Sequence, residues 1–260
     1  MSDSITFLGT SDGLPSPDRH HASLLLRLAG QTILLDCGEP CSHTLKRMGV
    51  DFNSLDAIFV THTHSDHVGG LPMLVQSLWL EQRIRPLPLW LPRRAIAPLQ
   101  HWLHACYLYE PLFHFRLQWK PLTAQSTPRI GNVRVRVRRT THLDAARDDF
   151  AQDHPQVGFD AFSLLLEGGG KRVVYSGDIG GPRDLIPLLQ KPVDVLVVEI
   201  AHCNPDQMLD LLSRHEIRHV VFTHLSRQLR KNLGALRVKA AKALRPRKVT
   251  LAMDGDVIRF

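Results

Sequence analysis

The chain has 260 residues, 43% of them hydrophobic and 22% charged, enough to bury a sizeable core as one large domain or two small ones. That composition excludes a disordered, collagen-like or disulfide-scaffold protein, and the longest apolar runs, such as Val193–Ile200, contain acids and are too short for a membrane span. The net charge of +7 is uneven: Arg214–Lys248 carries eleven basic residues against one acid, Glu216, so that stretch is +10 and the rest of the chain −3.

Ile5–Leu8 reads as a strand, ended by the turn-rich Gly9-Thr10-Ser11-Asp12-Gly13 and by Pro15 and Pro17. His21–Leu28 and Gln31–Asp36 pair as a hairpin about Ala29-Gly30; Ser42–Met48 is a short helix stopped by Gly49. Leu55–Val60 is a buried strand running into Thr61–His67, and Gly69–Gln82 carries Leu71, Leu74, Val75, Leu78 and Trp79 on one helical face. Pro86, Pro88 and Pro92 bracket a short edge strand, and Arg93–Tyr107 is helical despite Pro98. In Asn132–Thr140, Val133, Val135 and Val137 alternate with Arg134, Arg136 and Arg138, one face buried and one wet. Ala161–Glu167 and Lys171–Ser176 form a hairpin about three glycines. Strand and helix then alternate: helix Asp184–Gln190, strand Val193–Ile200, helix Pro205–His215, strand His219–Thr223, one long helix Arg227–Leu244, strand Val249–Met253. Hairpins first and βα units later predict an α/β chain with two mixed sheets between helices. No linker-like break divides it, so one domain over residues 1–260 is expected.

The strongest chemical signal is His62-x-His64-x-Asp66-His67. Four metal-capable side chains follow an apolar strand directly, so the strand fixes what the turn exposes. Imidazole and carboxylate suit zinc, manganese or iron, and the absence of thiolate from the run argues against a structural zinc finger. One loop cannot close such a site alone. His142, Asp178 and His224 each follow an apolar strand at its outgoing end, where α/β folds place their sites.

This order of residues resembles the metallo-β-lactamase superfamily, which implies an αββα four-layer sandwich with two mixed β-sheets and a binuclear metal centre. Phe7-Leu8-Gly9-Thr10 with Leu14-Pro15, then Leu35-Asp36-Cys37-Gly38-Glu39, then Phe222-Thr223-His224-Leu225-Ser226, resemble its ribonuclease Z branch. The resemblance implies that His62, His64 and His142 bind one divalent ion, that Asp66, His67 and His224 bind the second, and that Asp178 bridges them, with zinc the leading ion and manganese or iron the alternatives. It implies a phosphodiesterase that attacks with a shared hydroxide, Asp66 handling a proton. The substrate would be RNA or a small cyclic or nucleotide phosphodiester; a homodimer stays open.

The chain departs from that branch in three places. The 36 positions from His142 to Asp178 leave no room for the long helical arm that grips transfer RNA. That interval is acidic (Asp144, Asp148, Asp149, Asp153, Asp160), and Val198 stands where the branch has a histidine before its glutamate, with His202 four positions on. These favour a smaller phosphodiester or a different RNA. Two alternatives remain: hydrolysis of a thioester, lactone or lactam on the same centre, and a non-catalytic nucleic-acid-binding module using the basic stretch. Cys37-x3-Cys41 with His43 reads as packing and His101-x2-His104 as helix surface. No P-loop, Gly-x-Gly-x-x-Gly or Gly-x-Ser-x-Gly is present. Four irregularly spaced cysteines and a start without basic or long apolar character point to reduced thiols, no secretory signal and a cytoplasmic setting.

Overall fold

The computed structural model describes residues 2–260. Its strands are β1 (Ser4–Gly9), β2 (Ser23–Leu28), β3 (Gln31–Leu35), β4 (Ala57–Phe59), β5 (Leu87–Pro92), β6 (Leu117–Leu122), β7 (Arg129–Ile130), β8 (Val133–Arg139), β9 (Phe162–Gly168), β10 (Lys171–Tyr175), β11 (Val193–Glu199), β12 (Ile217–Thr223), β13 (Lys248–Leu251) and β14 (Val257–Arg259). They form two seven-stranded sheets, ordered β14-β1-β2-β3-β4-β5-β6 and β13-β12-β11-β10-β9-β8-β7. The tight hairpins β2–β3, β7–β8 and β9–β10 pair antiparallel, as do β8 and β9 across the longer segment that carries α5, whereas β3–β4–β5–β6 and β10–β11–β12–β13 pair parallel through long crossovers.

Alternation along the strands sorts side chains into layers. Leu24, Leu26 and Leu28 of β2 meet Val133, Val135 and Val137 of β8 in the core between the sheets, whereas Leu25 faces the opposite way. The outer face of the first sheet is covered by α1 (Cys41–Arg47), α3 (Leu71–Leu80) and α4 (Ile96–Ala105), packing through Leu45, Leu71, Leu74, Leu78, Leu99 and Leu103. The second is covered by α6 (Pro205–Ser213) and α8 (Leu233–Ala243), through Met208, Leu212, Leu236 and Ala240. Between these lie three short helices, α2 (Ser65–Val68), α5 (Asp144–Phe150) and α7 (Arg227–Arg230). The result is the αββα four-layer sandwich. No helix among the described residues is long and apolar enough to cross a membrane.

Three local expectations are corrected. The proline-bracketed strand β5 is interior, flanked by β4 and β6. Trp90 O accepts from Val60 N, so Pro88, Trp90 and Pro92 address the three-residue β4 and the prolines fall at the ends of that pairing; Leu87 N donates the other way, to Arg116 O. The true edge, β6, carries Lys120 and Pro121, which blunt an open ladder. The segment expected as helix Asp184–Gln190 is a 3-10 stretch, Pro182–Leu188, because Pro187 removes a helical donor. The long helix expected over Arg227–Leu244 is two: Asn232 leaves the helical conformation (φ −141°, ψ 59°) and its side chain accepts from Ala235 N, starting α8 afresh.

Candidate metal centre

Six strand ends converge on one edge of the sandwich. After β4, residues 62 and 64 are on an extended run, and residues two apart in such a run point the same way. His64 then caps α2, whose first turn swings Asp66 and His67 round to a second position. His142 follows β8 and His224 follows β12, the latter at φ 48°, a left-handed conformation that only a well-braced histidine keeps. Asp178 follows β10 through Gly177 at φ 52°, where an added Cβ would meet Phe162 O at 2.8 Å.

The structure brings all seven expected side chains together. His64 Nδ1 lies 3.1 Å from both His62 Nε2 and His142 Nε2. Asp178 Oδ2 faces that group, 3.7 Å from His62 Nε2 and 3.6 Å from His142 Nε2. Its other oxygen, Oδ1, lies 3.2 Å from His67 Nε2 and 3.7 Å from His224 Nε2, and Asp66 Oδ2 completes that second group at 3.5 Å from His67 Nε2 and 3.1 Å from His224 Nε2. A tetrahedral cation with donor bonds of about 2.1 Å has donor–donor edges of about 3.4 Å, so both groups match in type and spacing. His67 Nε2 and Asp178 Oδ1 are buried without a hydrogen-bond partner among the described residues, although 3.2 Å apart. A buried imidazole nitrogen and carboxylate oxygen left so are costly unless a cation satisfies them.

The charges of the bare site are tightly coupled. Burial alone would raise the Asp178 carboxyl, but the neighbouring His67 and His224 outweigh it and hold it well below the carboxylate range. Burial similarly opposes ionisation of Asp66, and the hydrogen bond from His224 overrides it. Burial would lower His67, yet Asp178 and Asp36 push it well above the usual imidazole range. His62 falls well below that range through burial and the charge of His67, and burial takes His142 down to about 4. A ligating imidazole is neutral, so a cation entering this set would displace the protons that the carboxylates favour on His67 and His224.

Two supporting groups were undervalued by the sequence reading. Asp36, at the end of β3, holds His67 Nδ1 at 2.8 Å, aiming Nε2 into the site. Glu199, at the end of β11 and 1% exposed, accepts from the backbone of Ile179, Ala201 and His202 and lies 3.0 Å from His202 Nδ1. The His202 ring is 4.6 Å from that of His142 and 5.7 Å from that of His224. The hydrogen bond to Glu199, against the effect of burial, raises the His202 pKa. The readable signal was its place just ahead of Asn204, the cap of α6, which anchors the loop at the site's rim.

Other candidates separate from the cluster. Cys37 and Cys41 are buried in the apolar layer under α1 and α3, and all four cysteines are unpaired. His104 meets Glu110 and the ring of Tyr109 on the surface, away from the cluster. The basic stretch is divided: Arg214, Arg218, Arg230 and Lys239 pair with Asp210, Asp194, Asp12 and Asp206, and Arg247 binds the carbonyls of Ser213 and His215. Lys231, Arg237, Lys242 and Arg245 are exposed and have no ion pair among the described residues.

A model of the beta-lactamase superfamily domain matches residues 31–225, and the chain belongs to that superfamily. Two of the similar proteins are ribonucleases Z. Ribonuclease Z of Methanothermobacter thermautotrophicus is 38% identical over 104 residues, 40% of this chain and 32% of the relative. Ribonuclease Z of Archaeoglobus fulgidus is 23% identical over 286 residues, covering 92% of each. The stronger local match thus spans about a third of the curated relative, and the end-to-end match is weaker in identity. Among solved structures, the metallo-beta-lactamase fold protein YhfI from Bacillus subtilis superposes with a TM-score of 0.78 at 19% identity, covering 99% of both chains.

Proposed function

We propose that this chain is a metal-dependent phosphodiesterase of the ribonuclease Z kind with two divalent cations, zinc being the ion that suits its imidazole and carboxylate donors. In this reading His62, His64 and His142 hold one ion, Asp66, His67 and His224 the other, and Asp178 bridges them. The observation that carries it is the division of the Asp178 carboxylate, Oδ2 toward one histidine group and Oδ1 toward the other. Divalent ions held there would lower the pKa of a water and neutralise the charge on a phosphodiester.

The chain's own groups supply the remaining tasks. Asp66, kept ionised beside His224, can accept a proton. His202, its proton retained through Glu199, lines the same pocket as His64, Asp66 and His224 and delivers that proton to a departing alkoxide. The pocket, about 270 Å³, receives the phosphodiester. A separate groove of about 760 Å³ between Gly180–Asp184 and Gln207–Arg214, lined also by Thr141 next to His142, would take the rest of a nucleotide or RNA end. The names of the relatives and the four unpaired basic residues of 231–245 support RNA. Exposed Asp148, Asp149 and Asp153, beyond His142, disfavour a long backbone on that side.

The test is metal content with a substrate panel. Wild-type protein should retain two zinc ions per chain and hydrolyse bis(p-nitrophenyl) phosphate; Asp178→Ala should lose both properties with its circular dichroism unchanged. Near-normal turnover by the variant, or metal-free wild-type protein, overturns the reading. Turnover of nitrocefin, lactoyl-glutathione or an acyl-homoserine lactone without the diester would replace it by a different hydrolase.

A further inference from the structure

His67 has a carboxylate at each ring nitrogen, and strand β10 reaches both, one directly and the other through a tyrosine. Asp178, just beyond β10, stands 3.2 Å from Nε2. At Nδ1 the partner is Asp36 Oδ2, and that oxygen also accepts from Tyr175 OH at 2.7 Å. Tyr175 is the last residue of β10, in the second sheet, whereas Asp36 and His67 follow strands of the first. Asp36 has two further donors, Thr61 N at 2.7 Å and Thr61 Oγ1 at 3.0 Å. Those bonds are local to β3 and β4 and cannot register one sheet against the other. The tyrosine bond does so, across a core where its ring is 3% exposed among Leu164, Val197 and their neighbours. Burial, with the charge of Asp36 second, keeps the phenol protonated, so it acts as a donor.

We propose that Tyr175 is a positioning residue for the cation site built on His67: its hydroxyl fixes Asp36, and through Asp36 the His67 ring, to the sheet that carries Asp178. This rests on the two-cation reading above. Tyr175 touches no reacting atom. It sets how well His67 Nε2 and Asp178 Oδ1 stay aimed at one point, which neither sheet defines alone. Partners in this outer layer typically change metal affinity about 10- to 100-fold, and one removed by a further bond belongs at the low end.

Tyr175→Phe deletes one oxygen and keeps the ring in the core. Stepwise zinc removal by a chromophoric chelator should show one of two ions leaving about tenfold more readily and the other within about twofold of wild type. Adding Tyr175→Phe to Asp36→Asn should cost little more than Asp36→Asn alone, since the hydroxyl acts through that carboxylate. Unchanged affinity, equal weakening of both ions, or additive losses in the double variant would overturn the proposal. Wild-type protein that takes up no zinc overturns the reading of the site, and this proposal with it.

Discussion

Replacing His202 by alanine separates proton delivery from every other task of the site. Its ring lies 3.0 Å from Glu199 Oε1 and packs against His142 and His224, yet its side chain is 38% exposed and outside the seven-residue set. Truncation should therefore leave metal content and melting temperature close to wild type. A positioned general acid contributes about 10²–10⁴ in rate, which at about 1.4 kcal/mol per decade is roughly 3–6 kcal/mol of barrier. That loss applies only where the leaving group needs a proton. 4-Nitrophenolate departs unprotonated, whereas a ribose alkoxide does not. His202→Ala should thus lower kcat on an RNA or dinucleoside phosphate by about 10²–10⁴ and kcat on bis(p-nitrophenyl) phosphate by less than about tenfold. Single-turnover rates on the two substrates measure the contrast. An equal loss on both would make His202 a structural or binding residue, and no loss on either would remove it from the chemistry.

Arg83 is 0% exposed and donates to the carbonyls of Phe52, Leu55, Arg85 and Pro86 rather than to a carboxylate. Arg83→Met orphans these carbonyls, and after allowing for the relief of a buried charge the loss should be roughly 3–5 kcal/mol by urea unfolding; under 1 kcal/mol would refute it. His219, 6% exposed and beside Lys248 in the ladder, has its pKa lowered to about 4, by burial first and by Lys248 second. Its folded state disfavours the proton, so its stabilisation is complete above the unfolded value near 6.5 and is lost as pH falls from there toward 4. His219→Gln should flatten the fall in stability over that window by up to about 3 kcal/mol, and identical slopes would refute the assignment. Reversing Arg237, Lys242 and Arg245 to glutamate should weaken RNA binding and reduce its salt slope by about 2 while leaving bis(p-nitrophenyl) phosphate turnover unchanged. An unaltered slope would mark that face as solvated surface only.

The elements that were legible share one property: a long run with a single period and punctuation at each end. The Val-Arg alternation of β8, the glycine-turned hairpin of β9 and β10 and the leucine face of α3 all qualify. β6, with Pro121 and no alternating burial, and the three-residue β14 escaped notice because they are defined by their neighbours: β14 exists through pairing with β1 at the far end of the chain. Asn232 broke an expected helix because a side-chain cap, worth about 1 kcal/mol, competes with continuing the apolar stripe.

The chemistry divides in the same way. Residue types and their place after apolar strands are local facts, since a strand end exposes the residue that follows it, and that rule singles out His62, His64, Asp66, His67, His142, Asp178 and His224, the side chains that the fold brings together. Distance is not local. Which oxygen of Asp178 turns toward which histidines, the reach of Glu199 to His202, the buried guanidinium of Arg83 and the hydroxyl that Tyr175 extends to Asp36 from 139 positions away arise only when the two sheets pack. Side-chain chemistry is carried by each residue along the chain, but hydrogen-bond and cation geometry is set to within tenths of an ångström by contacts between residues far apart in it, and only the folded sandwich supplies those.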